Sequence, residues 1–152
     1  SGIGTSYEEL FTTKKGFTKV DEAKLFAETA GCDWLSVAAG SFHGAIAAAT
    51  KHQKKPEARL DIEHIAALSA ATGNMPLVLH GGSGVPDDQI QAAVKAGIRK
   101  INFGTDVCCS FLDAAREVDK SILALDLFMR EPTEAVKNFA ISKIKLLGAD
   151  QR

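Results

Sequence analysis

A chain of 152 residues, 45% hydrophobic and 24% charged, has the size of one domain and enough apolar content to bury a core. Its formal net charge is −1 with acidic and basic residues interspersed, so no basic stripe with interleaved aromatics marks a nucleic-acid surface. No apolar run is long enough to span a bilayer, the opening SGIGTSYEEL lacks a secretory pattern, and three cysteines (Cys32, Cys108, Cys109) form neither a disulfide framework nor a spaced metal set. A reducing cytoplasm is the expected compartment.

In chain order, residues 1–17 are polar and glycine-dotted and read as loop. Thr18, followed by Asp21, is the expected N-cap of a helix through DEAKLFAETA, with Gly31 at its end. WLSVAAG (34–40) reads as a strand buried on both faces. A long loop at 45–59, containing KHQKKPEAR, exceeds the usual connection in a compact α/β unit, and ordered loops of that length tend to be functional. Asp61 then caps IEHIAALSAAT, where Ile62, Ile65, Ala66 and Leu68 share a face and Gly73 stops the helix. PLVLH is the second strand, Pro86 suits the first turn of the helix DDQIQAAVKA, and Gly97 suits its end. KINFG is the third strand, Thr105 caps a helix through Leu125, and Pro132 opens a last helix that ends near Gly148.

Alternating helices and short apolar strands predict a parallel α/β sheet, with no second domain or repeat. The unusual residues then gather at one edge. His43 follows the first strand, His80 ends the second, and Asn102 to Thr105 end the third, so all lie on the carboxyl rim, where parallel α/β folds bind ligands. Gly81, Gly82 and Ser83 can present backbone N–H groups, while Gly104 and Thr105 open a helix whose free amides favour an anion. Each residue also has a plain reading: a satisfied histidine, a flexible turn, a turn-closing Asn, an ordinary helix cap. His52 in a basic loop and His64 on an exposed helix stripe have no ligand role, and Cys108 and Cys109 read as a buried, inert pair.

The segments PLVLHGGSGVPDDQIQAAVKAGIRKINFGTD and DWLSVAAGSFHG carry a resemblance. Together, from DEAKLF to AVKNFAISKIKLLGA, they resemble the carboxyl-terminal half of class II, zinc-dependent ketose-bisphosphate aldolases of the fructose and tagatose type. The resemblance implies an α/β fold comprising the last three βα units and terminal helices of a (β/α)8 barrel. It implies that His43 and His80 are two of three imidazoles on a catalytic Zn2+. Gly44, Gly81 and Ser83 resemble positions that hold a monovalent cation, Na+ or K+, and with Gly82 help grip a substrate phosphate. Asn102 and Thr105, with Gly104 beside them, resemble the positions that contact dihydroxyacetone phosphate and its phosphate group.

On this reading, zinc with an open position polarises a ketose carbonyl and neutralises the enediolate, while phosphate binding orients the substrate. The chain departs from the family in several places. The third zinc histidine and the acid/base aspartate lie on earlier strands in relatives, and no residue here replaces them. Glu8 and Glu9 fall near a mobile carboxylate loop of the family without matching its motif. No basic residue closely follows His43, although Lys51, Lys54 and Lys55 lie in the same loop, and Phe42 and Phe103 are bulkier than expected beside the pocket. The chain is therefore expected to be one part of a longer polypeptide, associated with the missing first half of the barrel and, as in relatives, assembled as a dimer or tetramer. Two other readings stay open: a metal-free phosphate-binding barrel enzyme in which His80 is acid or base, and a non-catalytic sugar-phosphate-binding protein with a degenerate site.

Overall fold

The computed structural model describes residues 7–41 and 59–150, so Phe42, His43, Gly44, Lys51, His52, Lys54 and Lys55 lie outside the described residues. The chain divides into two compact units, Ser1–Asn102 and Phe103–Arg152. In the first, β1 (Leu35–Val37), β2 (Leu77–Leu79) and β3 (Ile98–Ile101) form a parallel sheet in chain order, as the alternating pattern predicts. Its described residues also form α1 (Tyr7–Thr13), α2 (Val20–Ala30), α3 (Ile62–Ala71) and α4 (Asp87–Ala96). Its core includes Leu77 and Leu79 of β2, Ile98 of β3, Ile65 and Leu68 of α3, and Ile90 of α4, all fully buried.

The helix ends follow local chemistry at α3 and α4. The Asp61 carboxylate accepts from the His64 amide at 2.9 Å, which satisfies one of the free donors of the first turn of α3. Pro86 stands at the N-cap of α4, and Gly97, at φ 130°, ends it. Gly31 ends α2 in the left-handed region at φ 59°.

Several expectations are corrected. Residues 7–13, expected as loop, form α1, whose Phe11 ring stacks edge-on against Phe17 at 5.7 Å beneath the Arg59 guanidinium at 4.9 Å. Thr18 does not cap α2. Lys19 holds that position without a side-chain bond, while Thr18 is tied to Ala38, donating through its N–H and accepting through Oγ1, both at 2.9 Å. β1 is not buried on both faces, since Ser36 and Trp34 are exposed. On α3, Ala66 is exposed and Ser69 shares the buried face with Ile65 and Leu68. β3 runs from Ile98 to Ile101, which leaves Asn102 to Gly104 beyond its end.

The second unit holds α5 (Thr105–Glu117), α6 (Leu125–Phe128) and α7 (Arg130–Leu146), with α5 packed on α7. Gly104, not Thr105, is the N-cap residue of α5. That helix stops at Glu117 rather than Leu125 because buried Val118 turns extended and Asp119 accepts from the Ser121 amide at 2.8 Å, closing a turn. Pro132 lies inside the first turn of α7, where its missing N–H costs nothing. No helix among the described residues is long and apolar enough to cross a membrane.

Asp61 does more than cap. Burial alone would raise its carboxyl, but the hydrogen bond from Lys14, the His64 amide and the charges of Lys14 and His64 together bring it below the ordinary carboxylate range. The Lys14 ammonium lies 2.8 Å away. A depressed carboxyl contributes stability that is present above its unfolded value of about 4 and is lost as pH falls through the folded value. Asp61→Asn keeps a competent cap but loses that contribution, so urea denaturation should show it less stable than the parent at pH 7, with the gap narrowing as pH falls below about 4. Asp61→Ala loses the cap as well, about 1 to 2 kcal/mol at pH 7. Equal urea midpoints for all three proteins at pH 7 would contradict this role.

Candidate functional site at the carboxyl rim

The rim of the first unit is built by an irregular register. Leu77 pairs with Ile98, but Val78 pairs with Lys100 and Leu79 with Ile101, so β3 carries one surplus residue, Arg99, at a bulge. Side chains alternate along a strand, and a one-residue shift exchanges faces. Without the bulge Ile101 would fall beside His80. With it, Asn102 does, and the ladder continues through the Asn102 amide to Leu79 O at 3.1 Å.

Asn102 is the hub of this rim. Its carbonyl accepts from the Gly82 amide at 3.0 Å. Its side-chain Oδ1 accepts from the Lys100 ammonium, and its Nδ2 lies 3.3 Å from His80 Nδ1. An ammonium can only donate, so Oδ1 must face Lys100 and the amide N–H faces the imidazole, with Nδ1 as acceptor. The His80 carbonyl in turn accepts from Ser41 Oγ at 2.6 Å, which joins the ends of β1 and β2.

After His80 the chain turns through Gly81 at φ 73° and Gly84 at φ 80°, conformations that favour glycine. Gly82 is buried, its amide is engaged by Asn102, and its carbonyl accepts from Val85 N at 3.2 Å. Gly82 therefore shapes the turn and offers no free donor, while Gly81 and half-buried Ser83 flank it.

The structure thus brings together His80, Gly81, Gly82, Ser83 and Asn102. His43 and Gly44, the other residues of the expected metal set, lie outside the described residues. Gly104 and Thr105 are exposed at the head of α5 in the second unit, and a Cβ at Gly104 would meet nothing within 4 Å. Phe103 also belongs to that unit. Its ring meets Phe139 of α7 edge-on at 6.3 Å, with the Lys143 ammonium 5.4 Å from its centroid, so its bulk is taken up by helix packing.

Two expectations about reactive side chains change. His64 is half-buried, not on an exposed stripe: its Nε2 meets Thr18 O at 2.8 Å and its ring lies 5.6 Å from Phe17. Cys108 and Cys109 are exposed, not buried, while Cys32 is half-buried with Sγ 3.8 Å from Met75 Sδ. Sequence reasoning missed Ser41 and Lys100. The position of Lys100 two residues before Asn102 on a strand was an available signal for a shared face, but not for the contact.

Among the described residues no three His, Cys, Asp or Glu side chains form a group that could hold a metal ion. A catalytic zinc takes at least three protein ligands. The rim supplies one suitable donor, His80, and the described residues alone do not complete a set.

Similarity to known proteins covers most of the chain. The family model described as fructose-bisphosphate aldolase class-II matches residues 2–152. YdjI of Escherichia coli, an uncharacterized protein by its description, is 39% identical over 150 residues, which are 98% of this chain and 49% of that protein. A 6-phospho-5-dehydro-2-deoxy-D-gluconate aldolase of Shouchella clausii is 36% identical over 136 residues, 88% of this chain and 43% of that protein. The chain thus spans about half the length or less of these relatives. The crystal structure of the YdjI aldolase superposes with a TM-score of 0.74 at 34% identity, covering 95% of this chain and 55% of that one. A fructose-bisphosphate aldolase of Campylobacter jejuni, at 20% identity and a TM-score of 0.69, covers 97% of this chain and 49% of that one and shares the fold.

Proposed function

This chain belongs to the class-II fructose-bisphosphate aldolase family, and from that premise we propose that the complete protein cleaves a ketose bisphosphate, of fructose or tagatose, reversibly to dihydroxyacetone phosphate and glyceraldehyde 3-phosphate. The observation that carries this reading is the meeting of His80 and Asn102 at the mouth of a glycine-shaped turn. The relatives' descriptions span fructose bisphosphate and a phosphorylated dehydro-deoxygluconate, so a sugar-derived phosphate is the common substrate chemistry.

In this proposal His80 and His43 hold a zinc ion, with a third ligand from an earlier strand, and Gly44, Gly81 and Ser83 hold Na+ or K+. Zinc, when bound, supplies a Lewis acid that polarises the ketose carbonyl. This chain's residues do the positioning. Ser41 fixes the backbone of His80, and Asn102 stands beside its ring at the rim. Gly81 and Ser83, on either side of the engaged Gly82 amide, grip phosphate, and binding remote from the reacting carbons is converted into orientation. The acid/base carboxylate comes from the other half of the barrel.

That half is also the proposed cover for the sheet edges. β1 and β3 each pair only with β2 among the described residues, and parallel strands need both edges managed. Closure of the barrel by the preceding strands satisfies both. Dimers or tetramers of the closed barrel are the proposed assembly.

The test is aldol cleavage of fructose bisphosphate and tagatose bisphosphate by the complete polypeptide, with and without a chelator. Cleavage of one of them that is lost on chelation and restored by Zn2+ supports the proposal. Cleavage that survives complete metal removal points to metal-free catalysis with His80 as acid or base. Tight binding of both sugars with no turnover points to a non-catalytic binder.

A further inference from the structure

The two faces of the sheet differ in what covers them. Leu77 and Leu79 of β2 and Ile98 of β3 are fully buried on one face, where a Cβ at Gly97 would meet both Ser69 of α3 and the Leu77 side chain. Side chains alternate along a strand, so the intervening residues share the other face. The register sets Ser36, Val78 and Lys100 there in one row across the three strands, one layer below His80 and Asn102. Ser36 and Lys100 are exposed, and Trp34, two residues before Ser36, is 59% exposed. The Lys100 ammonium bonds to the neutral carboxamide of Asn102, and no carboxylate among the described residues pairs with it.

We propose that this face is the docking surface for the missing first half of the barrel, and that an acidic side chain on the inner face of an entering strand pairs with the Lys100 ammonium. The proposal rests on the reading that this half closes the barrel. The match covers 49% of one relative and 43% of another, which leaves about half of each beyond it. A barrel interior is filled by side chains rather than water, so closure takes Lys100 out of solvent. Burying an ammonium is costly unless a counter-charge and hydrogen bonds accompany it, and a neutral amide supplies only the second. An ammonium has three hydrogens, so the bond to Asn102 leaves two for a carboxylate. β3 is an edge strand among the described residues, so a strand of the other half can lie directly beside Lys100. The charged groups near Lys100 do not compensate it: Arg99 is itself cationic and its guanidinium turns to Val94 O of α4 at 2.7 Å, while β2 presents Val78 and, at the rim, His80.

The experiment uses the complete polypeptide and has two readouts. Native parent is treated briefly with an amine-acylating reagent and mapped by peptide mass. Lys100 is expected to react at least about tenfold more slowly than Lys120, an exposed lysine in a turn. Thermal midpoints of the parent, Lys100→Met and Lys100→Arg are then compared at pH 8 and pH 5. The Met variant strands the carboxylate, so its midpoint should lie about 5 to 15 °C below the parent at pH 8. A stranded buried carboxylate titrates above its ordinary range and a paired one below it, so acid relieves the variant before it harms the parent, and the gap narrows at pH 5. His80 is common to all three proteins and cancels in the comparison. Lys100→Arg keeps the charge and recovers most of the midpoint. A Met variant that folds only in acid supports the pairing as well. One that matches the parent at pH 8, keeps the same gap at pH 5, or folds at neither pH overturns it. Lys100 reacting as fast as Lys120 shows an open face, and the closure reading then fails with the proposal. Protection that is lost on dilution shows a second copy as the cover and overturns the proposal too.

Discussion

Replacing His80 by alanine is expected to abolish zinc binding in the complete protein and to lower aldol cleavage by more than about 10³-fold, while the fold survives. Loss of a group that merely supports a metal ligand costs about 10- to 100-fold, and loss of a ligand should exceed that. The fold survives because the structural work at this position is done by the backbone. The His80 carbonyl is held by Ser41 Oγ, whereas the half-buried ring bonds to Asn102, a contact worth about 1 kcal/mol. His64→Ala is the natural control. Its ring bonds to Thr18 O and packs near Phe17, so its removal should lower stability by about 1 to 2 kcal/mol and leave zinc content unchanged. Elemental analysis and urea denaturation of both variants would separate the two histidines. Full zinc occupancy in His80→Ala would end the case for this residue as a ligand.

Gly97→Ala should be strongly destabilising in the first unit. Gly97 adopts φ 130°, which L side chains rarely adopt, and its added Cβ would stand 2.5 Å from Ser69 Oγ and 2.7 Å from Ser69 Cβ. Ser69 is buried on α3, and its carbonyl accepts from Asn74 N and Thr72 Oγ1, so it cannot readily move aside. Backbone strain and overpacking each cost about 1 to 3 kcal/mol, so a loss of about 2 to 5 kcal/mol is expected. Gly73→Ala isolates the first of these. It too has a positive φ, 67°, but an added Cβ meets nothing within 4 Å, so its cost should be about 1 kcal/mol. Chemical denaturation of the pair gives the steric share by difference, and equal midpoints would show that the contact with Ser69 relaxes freely.

Features that depend on neighbours in the chain were legible in the sequence. Asp61 caps the helix it precedes, Gly31 and Gly97 end theirs, and the apolar runs at 35–37 and 77–79 pair as parallel strands. The placement of His80 and Asn102 at strand ends was legible for the same reason, and it brought the two side chains to one rim. What remained hidden depends on partners distant in sequence. Thr18 resembles a cap locally, but Ala38 competes successfully for its hydroxyl. Residues 7–13 look like loop until Phe17, Arg59 and Asp61 supply the contacts that hold α1. The bulge at Arg99 has no composition signal, because it is a relation between two strands. Without it, neither the contact of Lys100 with Asn102 nor the engagement of the Gly82 amide could be anticipated.

Because Arg99 is the surplus residue, β3 behaves as two stretches that keep separate count. A homologue lacking one residue at 99 would still place Ile98 opposite Leu77 and Lys100 opposite Val78, so that deletion is silent at the rim. Loss of a second residue between Ile98 and Asn102 would carry Asn102 to the opposite face. The strand thus carries one residue of slack: a relative one residue shorter here is expected to keep Asn102 beside His80, and one two residues shorter is expected to lose it.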